Sequence, residues 1–252
     1  MIRKELIRRY FVFCISLLII ALGISIITRS DLGTSPITSV PYVASLNTSV
    51  SLGMYFFLFT IVLIILQLLL LGKEKIKEKK MELLMQFPVA FVLSVFTDLT
   101  MWLTTSLTLE SYFLKVISLI IGCIILALGI CLEVIADVTM ISAEYTIQFA
   151  TMRFKKDFGT IKIGFDVSLV IIAIICSLVM SGNIEGVREG TVITSLLTGP
   201  FVRIIMPRLF SLRNWLTGTT ATTATSKNTN NTNLPLVITI SREYGSGGAQ
   251  FR

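Results

Sequence analysis

The sequence contains no histidine, and only 15% of its residues are charged. Histidine is the most usual general base at neutral pH and a frequent metal ligand, so its absence argues against a zinc or haem protein. Soluble domains carry roughly 25% charged residues, whereas 54% of this chain is hydrophobic. So few charges cannot cover so apolar a core in water, and lipid must cover it instead. The composition therefore predicts an all-α, multi-pass membrane protein.

The sequence also lacks paired cysteines. Its four cysteines, Cys14, Cys123, Cys131 and Cys176, all lie inside apolar runs, and none forms a Cys-x-x-Cys pair. We interpret them as small packing residues rather than as disulfide partners or metal ligands. Since no catalytic set of residues is visible either, we expect no catalytic residue, no metal site and no cofactor.

The net charge is +7, with an isoelectric point near 9.4. In a soluble protein this would suggest nucleic acid, but here the basic residues cluster in short loops, where they set membrane topology. The segment Lys73–Lys80 alone contains five lysines. We therefore expect the lipid bilayer as partner and no nucleic acid, with assembly into a homo-oligomer left open.

Six apolar runs predict six transmembrane helices. The charges of the intervening loops alternate consistently, so we expect a bacterial inner-membrane protein with both termini in the cytoplasm. The sixth helix is predicted to break at Gly199 and Pro200. The predicted helices span about 11–28, 53–71, 83–103, 113–135, 161–180 and 191–206.

The segment Ala21–Asp31 recurs loosely as Ala127–Asp137, 106 positions later, and both copies begin with Ala-Leu-Gly-Ile and end on aspartate. Gly53 and Gly159 are separated by the same number of residues. Matching positions at one offset indicate an internal duplication, with repeats at about 10–105 and 113–210. Three helices per repeat would insert the second copy in the opposite direction. Inverted repeats are typical of secondary transporters.

Acidic side chains occur in or beside the predicted helices. A charge that faces hydrocarbon is costly, so such residues face a polar interior or the membrane surface. One interpretation is a pathway for a substrate, cation or proton; the alternative is solvation at helix ends. Glu133 lies one turn before Asp137 on a similar helix face. The candidate acids are Asp31, Glu133, Asp137 and Glu144.

Two less apolar segments, 29–52 and 136–160, occupy equivalent places in the repeats. Pro36 permits an irregular turn, after which a short helix over 37–46 is predicted. Two short helices that enter from opposite faces would point their amino ends, which attract anions, toward the middle. The alternative is a pair of ordinary surface loops. The candidate capping residues are Thr34 and Ser35 in the first copy, and Thr139 and Ser142 in the second.

The carboxyl-terminal part has a different composition. Residues 216–233 are rich in threonine and asparagine and are predicted to form a flexible linker. Residues 234–252 begin like a β-strand and continue into a glycine-rich turn, which is how nucleotide-binding domains start. Backbone N–H groups of such a turn can bind phosphate, although the lysine of a P-loop is absent. The turn consists of Gly245, Ser246, Gly247 and Gly248.

Residues 8–210 resemble the YitT/YczE family of bacterial membrane proteins. The resemblance rests on the motifs Arg29–Pro36 and Gly186–Thr191, with Gly199-Pro200. It implies an integral membrane protein without catalytic residues. The tail, about residues 236–252, is similar to the start of the cytidylate-kinase-like family, which implies a phosphate loop in an incomplete domain.

The sequence thus supports two functional hypotheses for a membrane domain at 1–215. The first is a transporter of a small solute or ion, built on inverted repeats. The alternative is a membrane anchor or sensor for a cytoplasmic cytidylate-kinase-like domain that is truncated in this chain. On either hypothesis, the chain as it stands is not expected to be an enzyme.

Overall fold

The computed structural model describes residues 2–107, 109–156, 158–209 and 212. In this part of the chain the secondary structure is helical, with short turns between the helices. The all-α fold expected from composition is confirmed. The helices are α1 Ile2–Arg29, α2 Pro36–Leu46, α3 Leu52–Glu78, α4 Lys80–Leu103, α5 Tyr112–Ala136, α6 Ser142–Phe154, α7 Phe158–Ser181 and α8 Glu189–Arg208.

Six of these helices, α1, α3, α4, α5, α7 and α8, are long and apolar enough to cross a membrane. Large apolar side chains cover their outer faces; Val179 is 80% exposed and Leu69 is 77% exposed. An apolar surface of this extent is unfavourable in water and favourable against lipid tails. The protein is therefore a multi-pass membrane protein.

The helices α2 and α6 are much shorter, with 11 and 13 residues. At a rise of 1.5 Å per residue they are about 17 Å and about 20 Å long, well below the roughly 30 Å of a bilayer core. The two polar segments singled out in the sequence thus fold into short helices rather than loops. We call α2 and α6 the half-helices.

The chain divides into two halves with the same order of helices, α1 to α4 and α5 to α8. In each half a long helix is followed by a half-helix and then by two more long helices. The half-helices and the helices that follow them begin 106 residues apart, the offset found in the sequence. The matched first residues are Pro36 with Ser142, and Leu52 with Phe158.

Packing between the halves is reciprocal. Helices α1 and α5 pack against each other at the centre, α4 covers α1, and α8 covers α5. The half-helix α2 packs on α7 of the second half, and α6 packs on α3 of the first. Exchanging the halves therefore reproduces these contacts. With three membrane-crossing helices in each half, the two halves run through the membrane in opposite directions.

The central contact between α1 and α5 depends on glycine. A Cβ added to Gly23 would lie 2.7 Å from the backbone nitrogen of Leu126, and one added to Gly129 would lie 2.8 Å from that of Ile20. Both glycines belong to the repeated Ala-Leu-Gly-Ile segments, and the residues that they contact are also 106 positions apart. The repeated segment is therefore what allows the two helices to approach so closely.

The lysine-rich segment is helical, and its prediction as a loop was wrong. Helix α3 continues to Glu78, and α4 begins at Lys80 after a turn at Lys79. Lysine and glutamate are good helix formers, so the helix extends beyond the apolar run that ends near Leu71.

The predicted break in the sixth transmembrane helix is also wrong. Helix α8 runs from Glu189 to Arg208 and includes both Gly199 and Pro200. A proline removes one hydrogen bond, which a membrane helix tolerates when neighbouring groups or local adjustments compensate. Both residues are exposed on the outside of the bundle, so the proline ring meets no packed neighbour there.

Candidate functional site

Two ion pairs join the halves, one at each end of the antiparallel α1–α5 pair. At one end, Lys115 Nζ donates to Asp31 Oδ2 at 2.7 Å. At the other, Arg9 Nη1 lies 3.5 Å from Asp137 Oδ2. The two basic residues are 106 positions apart, and so are the two aspartates. The ion pairs are thus one contact made twice, with the halves exchanged; we call them the end ion pairs.

The two aspartates have the same unusual backbone conformation. Their φ angles are 56° for Asp31 and 52° for Asp137, in the left-handed region that aspartate tolerates better than most residues. Asp31 lies two residues after the end of α1 and Asp137 directly after the end of α5, and their side chains are 65% and 56% exposed. This placement agrees with the helix-end interpretation, and it puts both carboxylates at the surfaces rather than in the middle of the bundle.

The start of α8 packs against the turn between α1 and α2. Arg188 Nη1 donates to the backbone oxygen of Asp31 at 2.9 Å, and the Gly190 N–H donates to the Leu32 carbonyl at 2.7 Å. A Cβ on Gly190 would lie 2.5 Å from that same carbonyl oxygen. The two sequence motifs that carry the family resemblance are therefore in direct contact.

The half-helices begin without the predicted side-chain caps. Ser35 holds the N-cap position of α2 but makes no capping bond, because its hydroxyl bonds to that of Thr38 instead. Ile141, which has no polar side chain, holds the N-cap position of α6. Pro36 is the buried first residue of α2 and supplies a φ angle suited to a helix start. The capping predicted for Thr34, Ser35, Thr139 and Ser142 is therefore wrong.

A buried carboxylate from α5 meets the start of α6. Glu133 is only 2% exposed, and its Oε1 accepts the Ile141 N–H at 2.9 Å. Its Oε2 is buried and has no hydrogen-bond partner among the described residues. The carboxyl group of Glu144, in the first turn of α6, interacts electrostatically with it. Of the four candidate acids, the fold thus brings Glu133 and Glu144 together and leaves Asp31 and Asp137 at opposite ends.

Two buried glutamines, which are not among the residues predicted from the sequence, tie α6 to the first half. Gln67 of α3 and Gln86 of α4 are 0% and 1% exposed and exchange amide hydrogen bonds of 3.0 and 2.8 Å. The Gln67 amide nitrogen also lies 3.0 Å from the Ser142 carbonyl oxygen and 3.1 Å from Thr146 Oγ1, both in α6, so its two N–H groups are shared among three acceptors. An amide inside an apolar run was the available signal, because such a group needs a partner in the membrane.

These glutamines allow a double-mutant test. Gln86→Leu leaves the Gln67 amide oxygen buried without its donor, so we expect a loss of about 1–3 kcal/mol in stability. Gln67→Leu should cost a similar amount, and Gln67→Leu/Gln86→Leu less than the sum of the two, since it leaves no orphaned amide. Unfolding in detergent, followed by thiol-reactive dye or circular dichroism, measures all three. Strictly additive losses would contradict the pairing.

A cavity of about 690 Å³ opens beside the end of α1. Arg29 lines it, donating from Nη2 to a backbone carbonyl of α4 at 2.9 Å. Burial and the Asp31 carboxylate raise the pKa of Tyr42, and the smaller effect of Arg29 lowers it. The phenol therefore stays protonated at neutral pH. Asp98 also lines the cavity and accepts the Gly53 N–H at 2.8 Å at the start of α3. Side chains of both charge signs thus line this cavity.

No group of three or more histidine, cysteine, aspartate or glutamate side chains that could hold a metal ion occurs within the described ranges. The phosphate loop expected at Gly245 to Gly248 and the linker expected at 216–233 lie outside the described residues. The functional candidates of the described part are therefore the end ion pairs, the Glu133 site and the cavity beside Arg29.

Comparison with known proteins gives a family. A search of curated proteins and a search of solved structures found no match. A family model described as a family of unknown function (DUF6198) matches residues 7–207, which include all eight helices almost completely. The chain belongs to this family of unknown function, DUF6198.

Proposed function

We propose that the protein transports a small solute or ion by movement of its two inverted repeats. The observation that carries this proposal is the reciprocal packing of the half-helices, α2 on α7 and α6 on α3. Any movement of one repeat against the other slides a half-helix of each repeat along a long helix of the other. Such a movement changes access at both ends of the molecule together, which is what alternating access requires.

The end ion pairs lie where such movement would be controlled. Asp31 with Lys115 holds the two central helices together at one end, and Asp137 with Arg9 does so at the other. Each end also has a cavity: the larger is lined by Asp31, and one of about 260 Å³ is lined by Arg9 and Asp137. In the proposed cycle one ion pair opens while the other stays closed.

The charges of the sequence support a sidedness for this cycle. The five lysines of Lys73–Lys80, and the basic residues Arg153, Lys155 and Lys156, would lie in the cytoplasm of a bacterial cell. Both termini would lie there too. The larger cavity, beside Arg29, would then face outward, and the smaller one would face the cytoplasm.

Sidedness is tested by labelling single cysteines in a cysteine-free variant with a membrane-impermeant reagent. We expect a cysteine at Ser45, which lines the larger cavity, to react from outside only. Cysteines at the exposed Lys77 and Lys155 should react from inside only. Labelling of Ser45→Cys and Lys155→Cys from the same side would show parallel repeats and remove the main support for transport.

Transport is tested in proteoliposomes by recording charge displacement or tracer uptake for a panel of inorganic ions, amino acids and sugars. We expect at least one solute to give a saturable signal that empty liposomes lack. If topology is as proposed and every solute in the panel is inactive, membrane anchoring becomes the favoured function.

A further inference from the structure

The Glu133 carboxyl group is in an unusual position for an acid in a membrane protein. It lies in a membrane-crossing helix and is 2% exposed. One oxygen accepts the Ile141 N–H at 2.9 Å, and the other, also buried, has no partner among the described residues. A negative charge in such a place is costly unless something neutralises it. The group therefore needs a proton or a cation for at least part of any functional cycle.

The fold does not need this acid to form a half-helix. The position equivalent to Glu133 in the first half, 106 residues earlier, is Ile27, a buried apolar residue. The half-helix α2 forms without an acid there and without a side-chain cap at its start. A capping role alone would also be served by a neutral acceptor such as asparagine or glutamine. The acid is a specific feature of the second half rather than a requirement of the repeat.

The geometry favours a proton over a divalent metal ion. Cations such as Ca²⁺ or Mg²⁺ need about six oxygen ligands, and no cluster of three or more acidic or other metal-binding side chains occurs in the described part of the chain. Glu133 offers only one free oxygen, since its Oε1 is used by Ile141. A single free carboxyl oxygen is sufficient for a proton.

The second acid, Glu144, is in the first turn of α6 and interacts electrostatically with Glu133. Two like charges in a poorly solvated place repel each other, so a proton on one of them is favourable. Ion pairs recorded on the surrounding elements join Arg9 of α1 to Glu5 and to Asp137, and Lys79 to Glu82 at the start of α4.

We propose that Glu133, with Glu144 beside it, is a proton-binding site that couples protonation to movement of α6. The inference rests on the proposed transport function and names its coupling ion. A proton bound at Oε2 makes the group neutral, as suits the closed, buried arrangement. Loss of that proton leaves a negative charge that is stable only when water reaches the site. The smaller cavity is lined by Asp137, one turn after Glu133 at the end of α5, and is the proposed route by which water reaches the site.

Three variants of the full chain, reconstituted in lipid, separate protonation from capping. Glu133→Gln keeps an oxygen that can accept the Ile141 N–H but cannot bind a proton. Glu133→Ala removes both functions, and Glu144→Gln is the matched control that removes the neighbouring acid. We expect the glutamine variant to keep wild-type thermal stability and the alanine variant to lose some of it.

The proton is detected by difference infrared spectroscopy of the carboxyl C=O stretch. In the wild type, a component of this band that belongs to a buried carboxyl group should appear as pH is lowered and disappear as pH is raised. This component should vanish in Glu133→Gln and persist, at a shifted midpoint, in Glu144→Gln. A band that does not respond to pH in the wild type, or that survives unchanged in Glu133→Gln, would overturn the proposal.

Coupling is measured in the same variants by labelling a cysteine at Val138, which lines the smaller cavity. Its labelling rate, divided by that of an exposed cysteine at Lys155 to remove the pH dependence of thiol ionisation, should depend on pH in the wild type, and this dependence should be lost in Glu133→Gln. Identical pH dependence in both proteins would also overturn the proposal. These outcomes are independent of the topology test, so a failure of proton coupling is distinguishable from a failure of the transport function.

Discussion

Replacing Gly129 by leucine should prevent α1 and α5 from packing, and we expect little folded protein in the membrane. Even a Cβ at this position would lie 2.8 Å from the backbone nitrogen of Ile20 and 2.6 Å from its Cγ1. The backbone of Ile20 cannot move aside without separating the two helices. Overpacking by a methyl group alone costs about 1–3 kcal/mol, and leucine adds three more carbons. Gly23→Leu should be equally damaging, because its contact with Leu126 is the equivalent one.

The control is a glycine in a long helix with open space around it. An added Cβ on Gly164 of α7 would meet nothing within 4 Å. Gly164→Leu should therefore be tolerated, and it gains helix propensity. Yield of monodisperse protein after solubilisation, and its thermal unfolding, measure all three variants. Equal unfolding temperatures for Gly129→Leu and Gly164→Leu would show that the close approach is not needed.

Reversing the charge of Asp31 should open the end of the protein at which it lies. Asp31→Lys places a third positive charge beside Lys115 and Arg188, which lie 2.7 and 3.8 Å from the Asp31 carboxylate. Exposed ion pairs contribute modestly to stability. We therefore expect the free-energy difference between closed and open states to change by about 1–2 kcal/mol, which corresponds to roughly 5- to 30-fold in the population of open states. Asp137→Lys, which faces Arg9, should open the opposite end.

The accessibility of a cysteine in each cavity shows which end of the protein opens in Asp31→Lys and in Asp137→Lys. Asp31→Lys should raise the labelling rate of a cysteine at Ser45 and lower that at Val138, and Asp137→Lys should do the reverse. The matched control is the charge exchange Asp31→Lys/Lys115→Asp, which restores most of the wild-type rates because an ion pair is present again. The alternating role of the end ion pairs would be refuted if both single variants changed the two rates in the same direction.

Much of the architecture follows from the sequence because it depends on local composition and on duplication. Runs of about 20 apolar residues can only be satisfied as helices in lipid, so the six membrane-crossing helices were predictable. The offset of 106 residues placed the half-helices in equivalent positions, with Pro36 at the start of the first. Helix ends were less predictable, since lysine and glutamate continue α3 past its apolar run to Glu78.

The candidate site was only partly predictable. The acids were visible as costly residues in an apolar chain, but their distribution between surface and interior was not. Glu133 and Asp137 are one turn apart, yet one is 2% exposed and the side chain of the other is 56% exposed. The difference arises because α5 ends at Ala136 and the chain then turns back, so that the start of α6 covers Glu133.

Composition, hydropathy and the internal repeat thus determined that this is a membrane protein of two similar halves. Tertiary structure decided which polar groups meet, because that depends on how helices far apart in sequence pack. Arg9 pairs with Asp137, which lies 128 positions away in the sequence, and Gln67 bonds to Thr146, which lies 79 positions away. In lipid an unpartnered polar group is costly, so such contacts between helices satisfy the buried polar side chains, while the cover provided by the start of α6 separates a buried Glu133 from an exposed Asp137.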